Sequence, residues 1–207
     1  MAQHPFNFKV LDERPIYQAY IPYSPAETHW IEDYLKSQAE LGTLHRVTRQ
    51  DKDPLFISSV VLVKEGQSGQ KFCLAPNLEE ENSRFQLPAH PMVDCQSVLD
   101  QLSGAKLLSA LDVKEAFNNI PLPTHLEKYC GIITQYSLYV YTVMAWGFNA
   151  APCHYQDIMN QVMRADHPIV PRPWQGTYLD DVTGAGRDVG EAWNNTLACL
   201  SRIALSG

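Results

Sequence analysis

The chain has 207 residues, 45% of them hydrophobic and 19% charged, with a net charge of -7 and a pI near 5.4. That length suits one domain or two small subdomains sharing a core, and the apolar content excludes wholesale disorder. The acidic balance argues against a surface that grips phosphates along its whole extent, although a local basic groove stays compatible with it. No apolar run approaches the length of a membrane span, and Met1–Pro15 lacks the basic-then-apolar layout of a secretory signal. Five widely spaced cysteines, with no CxxC pair and no His/Cys cluster, support neither a zinc site nor a disulfide framework. An intracellular protein with reduced thiols, in a cytoplasmic particle or the nucleus, is the expectation.

In chain order, residues 1–24 are polar, aromatic and punctuated by proline, and read as a lead-in arm. Ser24-Pro25-Ala26-Glu27 is a helix start with Ser as N-cap, Pro in the first turn and Glu at the third position; Gly42 ends that helix. Ile57–Val63 and Lys71–Leu74 read as two strands of a hairpin around the turn at 65–69. Residues 75–92, with the acidic run at 79–81 and prolines at 76, 88 and 91, read as loop. A short helix is predicted over 93–102, ending before Gly104. A strand over 106–111 leads straight into Asp112, and 113–119 turn.

Cys130–Ile133 and Tyr139–Met144 pair as a further hairpin, Gly147–Ala151 is loop, and Pro152 opens a helix to about Arg164. Prolines at 168, 171 and 173 make 166–176 a loop. Thr177–Gly184 reads as a short hairpin with Asp180 and Asp181 at its turn. The last helix, Val189–Leu205, is predicted to bury a face of Val189, Ala192, Trp193, Thr196, Leu197, Leu200, Ile203 and Ala204. Helices packed on one face of an antiparallel sheet give an α+β fold.

Leu111-Asp112 and Tyr178-Leu179-Asp180-Asp181 each place carboxylates at the end of an apolar strand. Neighbouring carboxylates destabilise each other's ionised forms unless something compensates, and a divalent cation with hard oxygen ligands is the usual compensation. Two Mg²⁺ ions, with Mn²⁺ able to substitute, would serve an in-line phosphoryl displacement. The simpler reading of Asp180-Asp181 is a hairpin turn, where Asp is common.

The surrounding motifs decide between those readings. Leu111-Asp-Val-Lys-Glu-Ala-Phe-Asn-Asn-Ile-Pro-Leu122 is similar to motif A of retroviral and retrotransposon reverse transcriptases. Tyr141-Thr-Val-Met-Ala-Trp-Gly-Phe-Asn-Ala-Ala-Pro152 resembles motif B of gypsy-type LTR retrotransposons and pararetroviruses, and Tyr178-Leu-Asp-Asp181 resembles motif C. Ser58–Lys64 and Phe85–Pro88 resemble the fingers of the same family, so the likeness spans residues 24–207. It implies an N-terminal arm (1–23), fingers (24–92), palm with motif A (93–122), a fingers/palm hairpin (123–145) and palm with motifs B, C and the start of D (146–207). The palm sheet would be antiparallel with helices on one face, and no thumb is expected within these residues.

The resemblance also implies roles. Asp112 and Asp180 would bridge two metal ions, Asp181 would complete the site and the Val113 carbonyl would add a ligand. Phe117 would be a steric gate against a 2′-hydroxyl, Trp146 and Gly147 would lie against nucleotide and template, and Lys71, with Lys64 a second candidate, would meet the triphosphate. The competing readings are core packing for Phe117 and Trp146 and a solubilising surface lysine for Lys64. The implied partners are an RNA/DNA template-primer and a dNTP, with no membrane.

Three positions depart from the family pattern. Ala75, Pro76 and Asn77 stand where an Asp-x-Arg stretch is usual, so acid and base are missing together, and Ala145 replaces a proline. RNA-directed DNA polymerase chemistry is the leading expectation. A non-catalytic relic or domesticated interaction module keeping the palm fold is the alternative, and another palm enzyme, an RNA-dependent RNA polymerase or a nucleotide cyclase, is a third reading.

Overall fold

A computed structural model describes residues 4–48, 51–52, 54–65, 71–86, 93–164 and 167–206. In chain order the elements are β1 (Lys9–Val10), β2 (Ile16–Tyr17), α1 (Pro25–Glu40), β3 (Leu44–Arg46), β4 (Phe56–Glu65), β5 (Lys71–Pro76), α2 (Glu79–Arg84), β6 (Phe85–Gln86), α3 (Cys95–Gln101) and β7 (Leu107–Asp112). A 3₁₀ turn (Ala116–Asn119) follows, then α4 (Thr124–Glu127), β8 (Gly131–Ile133), β9 (Leu138–Tyr141), α5 (Ala151–Arg164), β10 (Gln175–Tyr178), β11 (Asp181–Gly186) and α6 (Val189–Leu205). The fold is α+β, as the element pattern predicts. The chain divides into two compact units. One holds residues 1–4, 89–119 and 152–207; the other holds 5–88 and 120–151.

The second of these is built on a mixed sheet of order β2-β4-β8-β9-β3, with β5 paired to β4. The β4–β5 hairpin and the β8–β9 hairpin form as their sequences predict, but β4 pairs in parallel with both β2 and β8. Those parallel pairings join strands remote in sequence, which local patterning does not reveal. α1 starts on the predicted capping box: the Ser24 side chain accepts from the Glu27 N–H while the Glu27 carboxylate accepts from the Ser24 N–H. It ends at Gly42, whose φ of +81° a side chain would resist. Ile31 and Leu35 of α1 pack with Leu44, Val60, Leu74, Ile132 and Tyr139 into the unit's core.

Two expectations fail in this unit. The lead-in segment is not a free arm. Phe6 and Phe8 are buried, their rings 5.1 Å from Phe148 and 4.4 Å from Phe85, and its two short strands pair with β6 and β4. Burial of aromatic area outweighs the entropy of fixing a polar, proline-marked stretch. Nor are residues 75–86 a loop: β5 runs to Pro76, and α2 and β6 follow. The three glutamates occupy the first turn of α2, where the helix dipole favours negative charge. Residues 87–92, read as the rest of that loop, lie outside the described residues.

The other unit carries a three-stranded antiparallel sheet of order β10-β11-β7. α3 packs beside β10, and α6 lies along β11. The face that α6 buries differs from the prediction: Ala192, Thr196, Ala198, Cys199 and Arg202 are buried, whereas Val189, Trp193, Leu197 and Leu200 are exposed. The reason lies in the strand beneath. A Cβ on Gly186 would sit 2.2 Å from the Ala192 nitrogen, and one on Gly184 would meet the Thr196 hydroxyl at 2.8 Å. Backbone and helix approach so closely that only small side chains fit between them. Among the described residues no helix is long and apolar enough to cross a membrane.

Candidate metal and nucleotide site

β7 and β11 run antiparallel in a register that pairs Leu107 with Gly186 and Asp112 with Asp181. Asp180 and Leu179 form the two-residue connection between β10 and β11, so all three carboxylates meet at one end of the sheet. The hairpin is as predicted, with one refinement: Asp180 is in the turn, while Asp181 opens the strand. The ladder continues one step further, since the Val113 N–H donates to the Asp180 carbonyl oxygen at 3.0 Å. Asp112 and Asp181 are exposed and Asp180 half-buried. Like charges directly opposite on paired strands oppose folding.

The turn itself is held under strain. Leu179 has φ +53°, the left-handed region that a branched side chain avoids. Such a conformation costs about 1–3 kcal/mol and persists where surrounding structure imposes it. Here the brace is Gln156 of α5, fully buried, whose Oε1 accepts from the Leu179 N–H at 2.7 Å while its Nε2 donates to the Thr177 carbonyl at 3.2 Å. On the other side of the site, Glu115 has φ +50° in the turn after Asp112. The 3₁₀ turn then buries Phe117, whose ring meets Tyr155 edge-on with centroids 5.7 Å apart and planes at 77°.

Tyr155 is fully buried, and its hydroxyl has no hydrogen-bond partner among the described residues. Burial first, then the negative charges of Asp180 and Asp112, push its proton affinity far above the ordinary phenol range. Gln156 and Tyr155 are functional candidates that motif reading misses. The available signal was polar: an amide and a phenol on the helix face that also carries Ile158, Met159 and Met163, all buried.

The remaining predicted residues belong to the other unit. Trp146 is 48% exposed, which leaves its ring free of full core burial. Gly147 has φ +100°, which favours glycine, and a Cβ there would lie 3.2 Å from the Pro76 carbonyl oxygen, a tight contact. Its carbonyl accepts from Asn82 Nδ2 at 2.7 Å, and the Asn82 Oδ1 accepts from the Asn149 N–H at 3.2 Å. Asn82 of α2 thus braces the loop of motif B, a role hidden while its segment is read as loop. Lys64 and Lys71 lie on the β4–β5 hairpin, paired with Phe72 and Glu65; their side chains lie outside the described residues.

Could the three aspartates hold cations? Among the described residues no group of three or more His, Cys, Asp or Glu side chains is drawn together around one point. The donor chemistry nonetheless fits hard divalent ions: three carboxylates stand at one sheet end, Asp112 and Asp181 exposed and Asp180 half-buried.

An antiparallel sheet presenting acidic residues at a strained hairpin, backed by helices, defines a polymerase-type palm. The chain belongs to the reverse transcriptase (RNA-dependent DNA polymerase) family, whose model matches residues 68–204. This family is generally dependent on divalent metals. Among curated proteins, the retrovirus-related Pol polyprotein from transposon 297 of Drosophila melanogaster is 21% identical over 192 residues, 92% of this chain and 17% of that protein. The uncharacterized protein K02A2.6 of Caenorhabditis elegans is 23% identical over 144 residues, 69% of this chain and 11% of that protein.

Among solved structures, the prototype foamy virus protease-reverse transcriptase (CSH mutant) superposes with a TM-score of 0.82 at 18% identity, covering 98% of this chain and 26% of that one. The foamy viral protease-reverse transcriptase in complex with an RNA/DNA hybrid gives a TM-score of 0.78 at 14% identity, covering 96% and 25%. These likenesses show the reverse transcriptase fold. The chain spans between a tenth and a fifth of the curated relatives it matches.

Proposed function

We propose that this chain forms the fingers and palm of an RNA-directed DNA polymerase of the gypsy-type retrotransposon kind. Residues 24–92 would serve as fingers, 93–122 and 146–207 as palm, with 123–145 a hairpin between them and 1–23 an N-terminal arm. The observation that carries the reading is the β7–β11 register, which sets Asp112 opposite Asp181 with Asp180 in the adjoining turn. Asp112, Asp180, Asp181 and the Val113 carbonyl would be the residues that hold two Mg²⁺ ions, with Mn²⁺ able to substitute. Two such ions, when bound, activate an attacking hydroxyl and stabilise the leaving oxygen.

The chain's own residues do the rest. Gln156 and the Val113–Asp180 bond hold the acidic turn in one geometry, so little reorganisation is needed when charge develops. Phe117, anchored by Tyr155, stands as the wall that rejects a 2′-hydroxyl. By resemblance to the family, Trp146 and Gly147 would meet nucleotide and template, and Lys71, with Lys64 a second candidate, would meet the triphosphate. In the reaction the primer 3′-oxygen forms a bond to the α-phosphorus of a dNTP and the bond to pyrophosphate breaks. The foamy viral relative bound to an RNA/DNA hybrid supports a template-primer as partner.

The test is primer extension on an RNA template with dNTPs and Mg²⁺, wild type beside Asp180→Asn. Extension that depends on Asp180 supports the reading; extension indifferent to Asp180 contradicts it. No extension by wild type favours a non-catalytic module of the same fold.

A further inference from the structure

We propose that Tyr155 is a positioning residue of the acidic site: its buried hydroxyl donates a hydrogen bond to the Asp180 carboxylate when Asp180 and Asp112 hold a divalent cation. The inference rests on the metal-site reading given above. It starts from a cost that packing does not explain. Tyr155 is fully buried, yet its hydroxyl lacks a partner among the described residues. Buried polar groups are nearly always paired, because losing water without compensation is unfavourable. A phenylalanine would fill the same space and make the same edge-on contact with Phe117.

The hydroxyl therefore awaits an acceptor, and its surroundings identify one. Its ring packs edge-on against Phe117, in the turn that follows Asp112. Tyr155 precedes Gln156, whose amide grips the Leu179 N–H beside Asp180, so ring and turn are held by the same stretch of α5. A phenol hydroxyl carries a hydrogen that it can donate to a carboxylate oxygen. A carboxylate that presents one oxygen to a cation leaves its other oxygen as an acceptor, and a donor there fixes which oxygen faces the ion.

The experiment is calorimetric titration with Mn²⁺, together with thermal melts in its absence and presence, on the wild type, Tyr155→Phe and Asp180→Asn. Tyr155→Phe is expected to weaken Mn²⁺ binding by about 10-fold. Its metal-free melting midpoint should equal or exceed that of the wild type, because the orphaned hydroxyl is gone. Unchanged Mn²⁺ affinity in Tyr155→Phe overturns the proposal, and so does a lowered metal-free midpoint, which would mark a packing role. If the wild type binds Mn²⁺ and Asp180→Asn does not, an unaffected Tyr155→Phe sinks only this inference. If the wild type shows no Asp180-dependent binding, the metal-site reading falls with it.

Discussion

The main-chain N–H of Val113 donates to the main-chain carbonyl of Asp180 at 3.0 Å, one step beyond the pair formed by Asp112 and Asp181. This bond ties the residue after the first acid to the residue between the paired strands, so motifs remote in sequence share one backbone frame. Because the contact is main chain to main chain, Val113→Ala should leave it intact and keep nucleotide incorporation within a few-fold of wild type. Val113→Pro deletes the donor and should abolish incorporation, with a stability loss of about 3 kcal/mol. Equilibrium unfolding and single-nucleotide extension check both.

Gln156 is expected to matter out of proportion to its surface visibility, which is nil. Gln156→Leu keeps the volume but leaves the Leu179 N–H and Thr177 carbonyl without their side-chain partner. The predicted loss is about 2 kcal/mol in urea unfolding, together with a drop in incorporation as the strained turn relaxes.

Two glycines give a paired prediction. Gly186→Ala would drive a methyl onto the Ala192 backbone, with contacts of 2.2 and 2.6 Å, and should destabilise by about 3 kcal/mol or more. Gly104→Ala meets nothing within 4 Å and bears only the cost of its φ of +88°, about 1–2 kcal/mol. Thermal or urea denaturation of the two variants should rank them in that order.

Glu81 predicts a pH dependence. Its side chain is fully buried, accepting from Ser58 Oγ at 2.5 Å and from Gln18 Nε2 at 3.5 Å. Burial raises its pKa above the usual carboxylate value, and the Ser58 hydrogen bond only partly offsets this. A raised folded-state pKa means the folded chain binds more protons than the unfolded one across that interval. Glu81's contribution to stability is therefore full below its ordinary pKa and is lost as pH rises through the raised value. Unfolding free energy measured from about pH 4.5 upward should fall from this group, and Glu81→Gln should flatten the slope. An unchanged slope in the variant would refute this assignment.

Phe117 should govern sugar selection if it walls the nucleotide site. Phe117→Val opens space beneath the sugar and is expected to narrow the preference for dNTP over rNTP by about 10- to 100-fold in kcat/KM. Competitive incorporation of the two sugars measures it directly.

Much of this architecture was legible in the residues, and the reasons are local. The α1 capping box, the hairpins and the acidic turn are encoded within a few consecutive residues, and each forms as read. What escaped reading depends on partners distant in the chain. The parallel pairing of β4 with β2 and β8 has no local signature. The buried face of α6 departs from its apolar pattern because Trp193, Leu197 and Leu200 weigh heavily as apolar residues, whereas the glycines of β11 admit only Ala192 and Thr196. Helix α2 escaped because Leu78 supplies no side-chain cap, and with it went Asn82, the brace of the Gly147 loop. Tyr155 and Gln156 became visible only once the turn they face was in place.

The carboxylates at the β7–β11 end are proposed to catalyse templated DNA synthesis. The most direct test is single-turnover incorporation of one dNTP into a primed RNA template with Mg²⁺, comparing wild type with Asp180→Asn. Incorporation by the wild type and a loss of at least about 1,000-fold in the variant are expected. Equal incorporation by both proteins would contradict the proposal.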